Sequence, residues 1–210
     1  IGTYAGGIRV INLRTGAVKA YTHSRGIPNT ICSNDVLCIY KGRKGQIYVG
    51  TSWGLCCYDP VRDNFMTITS IGSMVSVVDI YEDMYNNLWI ATSNRGVFCY
   101  NTVGEEWKHF EHIREDLTTI TSNSVITLFE DRKGTMWFGT NGGGLCSFSK
   151  ETETFVDFDP ENMKEGVYRI TFSTEGREFK IHTTDYTEVG QEVGLTFFPE
   201  DIHVMSRMVY

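Results

Sequence analysis

Apolar and polar positions follow a pattern that is repeated along most of this chain. Short runs of β-branched and aromatic residues alternate with polar turns, whereas helical periodicity is weak throughout. A core motif occurs four times, as Ile1-Gly2-Thr3, Val49-Gly50-Thr51, Ile90-Ala91-Thr92 and Phe138-Gly139-Thr140. Its threonines are spaced 48, 41 and 48 residues apart, a period typical of four-stranded propeller blades.

The segments around each core motif predict the other strands of a blade. A β-branched run precedes the motif, and a residue that tolerates positive φ follows nine positions after its first valine, as expected for a tight hairpin turn. These turn residues are Gly45, Asn86 and Gly134. A third strand follows the glycine after each core motif, and a fourth is predicted near Tyr21, Phe65, Trp107–Phe110 and Phe155–Phe158. The sequence therefore predicts an all-β fold: a partial β-propeller of about three and a half four-stranded blades over residues 1–158.

Two of these repeats resemble a known family. Asn34-Asp35-Val36 leads to Gly45 through Thr51, and Asn123-Ser124-Val125 leads to Gly134 through Leu145, in the manner of two-component regulator propeller repeats. In that family the repeats form the extracytoplasmic sensor region of hybrid two-component systems, which respond to glycan fragments. The resemblance implies a periplasmic, non-catalytic sensor for residues 1–158. The third copy departs from the pattern at Val75 and Ala91, which affects only local turn detail.

A different pattern begins at about Gly166, after a junction at residues 159–165. Val167–Phe172 and Phe179–Thr183 alternate around a turn at Glu175-Gly176-Arg177, which predicts a second, smaller β module over residues 166–210. Val189–Phe197 and Pro199–Met205 resemble the last strands of the TOBE domain in ATPase subunits of spermidine/putrescine-type ABC importers. That resemblance implies part of a cytoplasmic regulatory barrel. A natural or an engineered fusion of the two parts remains open.

Composition narrows the classes of function. The net charge of −7 and the scattered lysines and arginines argue against a nucleic-acid partner. No run of eighteen apolar residues and no secretory leader is visible, which favours a fragment without membrane insertion. A phosphate-binding loop, a nucleophile elbow and a catalytic triad spacing are also absent from the sequence, so we expect no enzyme activity and no cofactor.

The six cysteines are Cys32, Cys38, Cys56, Cys57, Cys99 and Cys146. Three of them fall in or near equivalent third strands, where a small apolar side chain packs well, and none forms a C-x-x-C pair. The spacing favours buried free thiols over disulfides.

Three further motifs, a histidine pair, two acidic pairs and a triple glycine, are interpreted as structural. His109 and His112 flank Glu111 but lack a metalloprotease-like helical setting, so we expect no metal site. Glu82-Asp83 and Glu130-Asp131 precede equivalent turns and are interpreted as turn-initiating acids rather than calcium ligands. Gly142-Gly143-Gly144 joins two strands, which indicates a conformational role.

The candidate ligand site lies in the loops at one end of the blades. Trp53 and Arg95 occupy equivalent loops, where a flat aromatic ring suits the apolar face of a sugar and a guanidinium suits its hydroxyls or a uronate carboxylate. Asn141, in the corresponding loop of the last repeat, is the third candidate. The alternative interpretation makes Trp53 a cap that shields the core from solvent.

Three hypotheses follow. The first is a glycan-responsive sensor fragment, possible partners being an oligosaccharide and a second copy of the chain, because an open propeller leaves sheet edges to cover. The second is a regulatory TOBE-type domain of a polyamine-type importer ATPase, or a chimera of both parts. The third, an enzyme on a propeller, lacks a catalytic constellation.

Overall fold

The computed structural model describes residues 1–158, 168–174 and 177–183. The chain divides into two compact units, Ile1–Phe158 and Asp159–Tyr210. Secondary structure in the described residues is almost entirely β-strand, with one 3₁₀ turn at Thr69–Ile71. The all-β, partial-propeller prediction is confirmed.

Four antiparallel sheets form the first unit, and consecutive strands pair within each. Sheet 1 has three strands: β1 (Gly2–Thr3), β2 (Gly7–Ile11) and β3 (Val18–Tyr21). Sheet 2 comprises β4 (Val36–Lys41), β5 (Ile47–Thr51), β6 (Gly54–Asp59) and β7 (Asn64–Ile68). Sheet 3 comprises β8 (Val77–Glu82), β9 (Asn87–Thr92), β10 (Val97–Asn101) and β11 (Glu106–Phe110). Sheet 4 comprises β12 (Val125–Glu130), β13 (Met136–Thr140), β14 (Gly144–Ser149) and β15 (Thr154–Asp157).

The repeated threonine has the same role in every sheet. Its Oγ1 donates to the carbonyl of the glycine at the start of the next strand or directly before it, at 2.9 Å for both Thr3 and Thr51, 2.8 Å for Thr92 and 3.0 Å for Thr140. Each bond closes a short loop, between the first two strands of sheet 1 and between the second and third strands of sheets 2 to 4. The sequence repeat is therefore a structural repeat at the level of single hydrogen bonds.

The first hairpin of sheets 2 to 4 also repeats closely. Gly45, Asn86 and Gly134 have φ angles of 87°, 67° and 80°, as the turn pattern predicts. Each first strand has a register shift against the second, between Val36 and Cys38, Val77 and Asp79, or Val125 and Thr127. A bulge of this kind bends the strand and increases its twist.

Neighbouring sheets pack face to face through three apolar clusters. Between sheets 2 and 3, Tyr48 and Leu55 meet Leu88, Ile90 and Phe98. A second cluster joins sheets 3 and 4 and includes Trp89, Val97, Phe138, Cys146 and Phe155, and a third joins sheets 1 and 2 around Ile8, Val49 and Cys56. Fully burying one such large side chain contributes roughly 1.5–3 kcal/mol. The core thus lies between the sheets, as in a propeller.

Connections between sheets explain the uneven spacing of the repeat. Residues 22–35 and 111–124 are long loops, whereas residues 69–76 form a shorter connection between β7 and β8. Each long loop lies along the outer strand of the next sheet: the Asn29 carbonyl accepts from the Phe65 N–H at 3.0 Å, and the Thr118 carbonyl from the Phe155 N–H at 2.8 Å.

One cysteine expectation was wrong. Cys32 and Cys56 form a disulfide, with their Cα atoms 6.5 Å apart, whereas Cys38, Cys57, Cys99 and Cys146 are free. The sequence spacing predicted that the third-strand cysteines pack as free thiols among apolar side chains. It could not show that the loop at residues 22–35 brings Cys32 onto β6.

The second unit contains a described hairpin, β16 (Tyr168–Thr174) and β17 (Arg177–Thr183), in which Tyr168 faces Thr183 and Thr174 faces Arg177. It agrees with the alternation predicted there. The tail stretches 189–197 and 199–205 lie outside the described residues. Among the described residues, no helix has the length and apolar character needed to span a bilayer.

Candidate functional site

The loops at one end of sheet 2 enclose a cleft of about 500 Å³. The lining includes His23 and residues of the loop from Ile27 to Cys32, together with Thr67, Thr69, Gly72 and Ser73. Trp53, in the β5–β6 loop, completes the lining. The cleft therefore combines a large aromatic ring with hydroxyl, amide and imidazole groups, the mixture found in small-molecule sites.

Trp53 is held by its backbone and leaves its ring open. Its N–H donates to Thr51 Oγ1 at 3.2 Å, so the repeated threonine also positions this loop. The residue is 61% exposed, which leaves the indole face available to a ligand. An indole this exposed covers little of the core.

Arg95 lies next to the cleft without lining it. A Cβ added to Gly72 would be 3.2 Å from Arg95 Nη1, so the guanidinium lies against a residue of the cleft wall. The guanidinium carbon is 5.9 Å from the centre of the Phe98 ring, which is itself stacked on His109 at 3.9 Å. This cation–π arrangement positions the charge at the rim.

Asn141 is separate from these two residues. It is exposed in the β13–β14 loop, where its N–H donates to the Ser124 carbonyl at 2.8 Å and its carbonyl accepts from the Ser122 hydroxyl at 3.0 Å. Among the described contacts, none joins Asn141 to Trp53 or Arg95. Trp53 therefore lines the cleft, Arg95 lies beside its lining residue Gly72, and Asn141 is placed elsewhere.

The aromatic residue of the cleft has no counterpart in the equivalent loop of sheet 4. Gly143 occupies the loop position equivalent to Trp53, and a Cβ added there would be 2.6 Å from the Thr121 carbonyl oxygen. No side chain fits at that point without a shift of the backbone. The aromatic residue is thus particular to sheet 2 rather than a requirement of the repeat.

Sequence reasoning missed the residues of the 22–35 loop and of the Thr69–Ile71 turn. They are separated from Trp53 in sequence and meet around the cleft only after the 22–35 loop has folded onto sheet 2 and the Thr69–Ile71 turn has followed β7. A local signal existed in the likeness of residues 22–36 to residues 111–125, which share His, Ile and Asn at matching positions. That likeness indicated a folded loop, but not a cleft.

The two histidines near Glu111 have structural partners. His109 Nε2 is 2.8 Å from the Arg95 carbonyl, and His112 Nδ1 is 2.9 Å from the Ile120 carbonyl. No group of three or more His, Cys, Asp or Glu side chains is placed to hold a metal in the residues that the structure describes.

The turn acids divide into two roles. Asp83 and Asp131 accept backbone N–H groups of their own turns, as expected of turn-initiating acids. The expectation for the glutamates was wrong: Glu82 accepts from the Arg43 N–H at 2.7 Å and Glu130 from the Met84 N–H at 2.9 Å, each in the turn of the preceding sheet. Only the packing of sheets brings these groups together.

Comparison with known proteins supports the propeller. Residues 70–94 and 119–142 match the family model described as a two component regulator propeller, which covers less than a quarter of the chain. The matched segments contain the β8–β9 and β12–β13 hairpins.

Solved structures share the same fold. The extracellular domain of the hybrid two component system BT3049 from B. thetaiotaomicron is 23% identical with a TM-score of 0.57, over 85% of this chain and 23% of that one. The extracellular domain of BT4673 from the same organism is 22% identical with a TM-score of 0.59, over 88% and 25%. Virginiamycin B lyase from Staphylococcus aureus is 13% identical with a TM-score of 0.53, over 84% and 63%. The chain thus spans about a quarter of the two sensor domains, and the likeness establishes the fold alone.

Short sequence matches connect the chain to a different class of protein. The spermidine/putrescine import ATP-binding protein PotA of Onion yellows phytoplasma is 50% identical over 39 residues, which is 19% of this chain and 9% of that protein. The corresponding protein of Clostridium novyi is 38% identical over 50 residues, or 24% and 14%. The chain therefore spans only a small part of these relatives.

Proposed function

We propose that residues 1–158 are part of the extracytoplasmic sensor domain of a hybrid two-component signalling protein, and that the part is glycan-responsive and non-catalytic. The observation that carries the proposal is the exposed Trp53 in a polar cleft with Arg95 at its rim. The matched repeat hairpins and the two structural neighbours that are extracellular domains of hybrid two component systems support the same class of protein.

The cleft suits a sugar better than a wholly apolar ligand. Trp53 offers a flat surface for the apolar face of a pyranose ring, while the Thr67 and Thr69 hydroxyls and the Asn29 amide can exchange hydrogen bonds with sugar hydroxyls. Arg95 adds a positive charge at the rim, where a uronate carboxylate would be favoured. Asn141 would contact only a longer oligosaccharide or a partner.

An extracytoplasmic location agrees with the disulfide. Disulfides persist in oxidising compartments such as the periplasm and are rare in the cytosol. Cys32 lines the cleft and is bonded to Cys56 in β6, so the disulfide also ties the cleft wall to the sheet.

The proposal is tested by replacing the aromatic platform. Trp53→Ala should weaken oligosaccharide binding by at least about tenfold in calorimetry, because truncating an aromatic anchor removes a large share of binding energy. Trp53→Phe should retain part of the affinity. Trp107→Ala, which removes an indole stacked on Tyr100 outside this cleft, is the matched control and should bind as the unmodified chain does. Equal affinity of the Trp53→Ala variant and the unmodified chain would contradict the proposal.

For residues 166–210 we propose a separate origin, as the end of a TOBE-type regulatory domain. The lengths of the PotA matches, 39 and 50 residues, agree with the extent of that segment. Such domains act in the cytoplasm, so a chimera of two coding sequences is the second candidate for the whole chain. Sequencing the genomic DNA across codons 159–165 tests it, since one uninterrupted reading frame in the source genome would exclude an artificial join.

A further inference from the structure

We propose that His23 is a ligand-binding residue of the cleft, and that its Nε2 atom accepts a hydrogen bond from a ligand hydroxyl. The inference rests on the proposed function, since it assigns a specificity contact within the same cleft. It concerns the end of the cleft formed by the 22–35 loop, where the sequence indicated no binding residue.

The tautomer of His23 follows from its neighbours. Its Nδ1 is 2.8 Å from the Ile31 carbonyl oxygen, and because a carbonyl can only accept, Nδ1 carries the proton. In the neutral ring Nε2 is then a bare acceptor. No described residue bonds to Nε2, and His23 is one of the residues that line the cleft.

His112 provides an internal comparison. Both histidines donate their backbone N–H to an asparagine Oδ1 at 2.7 Å, from His23 to Asn34 and from His112 to Asn123. Both place Nδ1 against an isoleucine carbonyl, that of Ile120 for His112 at 2.9 Å. His112 belongs to sheet 4, where Gly143 replaces the tryptophan. The two residues thus share a structural role, and only His23 adds an open acceptor beside an aromatic platform.

The acceptor restricts the class of ligand. A neutral imidazole Nε2 pairs with a hydroxyl or amine hydrogen and repels a carboxylate oxygen, which has none to donate. The guanidinium of Arg95, which lies next to Gly72, carries only donors and therefore favours a carboxylate oxygen. The cleft is therefore suited to a saccharide with a hydroxyl at the His23 end, its anionic substituent, if one is present, pointing towards Arg95.

Substitution by asparagine separates the two roles of the ring. In His23→Asn the amide Nδ2 can still donate to the Ile31 carbonyl, as Nδ1 does, but no group replaces Nε2. We titrate three proteins at pH 8: the unmodified full chain, His23→Asn, and the matched control His112→Asn. Each is titrated with neutral oligosaccharides and with uronate-containing oligosaccharides. We expect His23→Asn to lose about five- to tenfold in affinity, the worth of one net hydrogen bond. His112→Asn should lose none, and the two variants should have similar melting temperatures.

A second measurement reads the contact directly. In ¹⁵N NMR of the unmodified chain, the His23 ring should show protonated Nδ1 and bare Nε2, and saturating oligosaccharide should shift the Nε2 resonance without moving that of His112. Binding that is lost in Trp53→Ala but unchanged in His23→Asn would overturn the inference and leave the proposed function intact. An equal loss in both asparagine variants would show a purely structural role and would also overturn it. Absence of binding by the unmodified chain to every oligosaccharide would overturn both proposals.

Discussion

A single aspartate organises the first hairpin of sheets 3 and 4. In sheet 4, Asp131 Oδ1 accepts the N–H groups of Lys133 and Thr135, both at 2.9 Å, and its Oδ2 accepts the Trp137 indole N–H at 3.0 Å. Asp83 bonds in the same way to the Trp89 indole N–H at 3.0 Å. The carboxylate thus ties the turn to the strand that follows it. In sheet 2 the position holds Gly42, and Tyr48 replaces the tryptophan.

Replacing this carboxylate should destabilise the fold. In Asp131→Asn the amide oxygen can retain the backbone bonds, but the amide nitrogen faces the indole N–H, which leaves two donors in contact. We expect a loss of about 1–2 kcal/mol in the free energy of unfolding at pH 7, measured by urea denaturation. Asp157→Asn, at an exposed position of β15, is the control and should change the free energy of unfolding by less than about 0.5 kcal/mol.

The same residue predicts part of the pH dependence. Burial alone would raise the pKa of Asp131, but the bonds from Trp137, Thr135 and Lys133 outweigh it, so the pKa lies below its usual value of 3.8. A lowered pKa in the folded state means that the stabilisation is present above about pH 4 and is lost as the pH falls further. The difference between the unmodified chain and Asp131→Asn should therefore shrink as the pH falls from about 4 to about 2. A difference that stays constant over this range would contradict the assignment.

At the scale of single residues, the sequence predicted local turn conformations but not contacts between sheets. The positive φ of Gly45, Asn86 and Gly134 was predictable because it depends on a turn of a few residues. The contacts of Glu82 and Glu130 were not, because their partners lie in the preceding sheet. Trp53 could be chosen as a candidate from its loop, whereas His23 could not be connected with it until both were placed around one cleft.

At the scale of elements, the two long loops are attached to their sheets at the same position by different bonds, one by a disulfide and the other by a hydrogen bond. Cys32 in the 22–35 loop is bonded to Cys56 in β6, while the equivalent Thr121 donates its hydroxyl to the Cys146 sulfur at 3.7 Å. Cys146 occupies the same register position in β14 as Cys56 does in β6. The loop thus adopts its position with or without a covalent bond.

This equivalence predicts that a second disulfide can be introduced. Thr121→Cys should bond to Cys146 on air oxidation and raise stability by about 3 kcal/mol, the value for a closed loop of this length. Peptide mapping without reductant detects the bond, and the shift in denaturation midpoint should vanish when reductant is added. Thr118→Cys, in the same loop but bonded through its carbonyl to β15, is the control and should remain a free thiol. If the introduced cysteine and Cys146 are both recovered as free thiols after oxidation, the structural equivalence is contradicted.

For the first unit as a whole, one face of sheet 4 is uncovered. Phe129 is 52% exposed, although Tyr40 and Tyr81 occupy the same register position and pack against the clusters between sheets. Ile126 and Val156 are exposed on the same sheet, and sheet 1 exposes Ile11 and Val18. Exposed apolar sheet faces of this kind are covered in stable assemblies. We propose that a second copy of the chain covers this face.

Self-association tests this proposal. The chain should form dimers or larger species at high concentration in analytical ultracentrifugation, and Phe129→Asp should shift the population to monomer by at least about tenfold in the dissociation constant. Val103→Asp, in the exposed turn between β10 and β11, places the same charge elsewhere and should leave association unchanged. A monomer at every concentration would contradict the proposal.

The sequence by itself determined the repeat, the strands and the turns of the propeller part, because these depend on local alternation, residue conformational preference and short-range hydrogen bonds. Tertiary structure alone decided the Cys32–Cys56 bond, the cross-sheet contacts of Glu82 and Glu130, and the meeting of His23 and Trp53 around one cleft. Each of these joins residues that are distant along the chain, so its geometry exists only after the loops and the sheets have packed against one another. The core motif repeats because every sheet closes the same short loop, whereas Trp53 lines the cleft at a position that holds glycine in sheet 4.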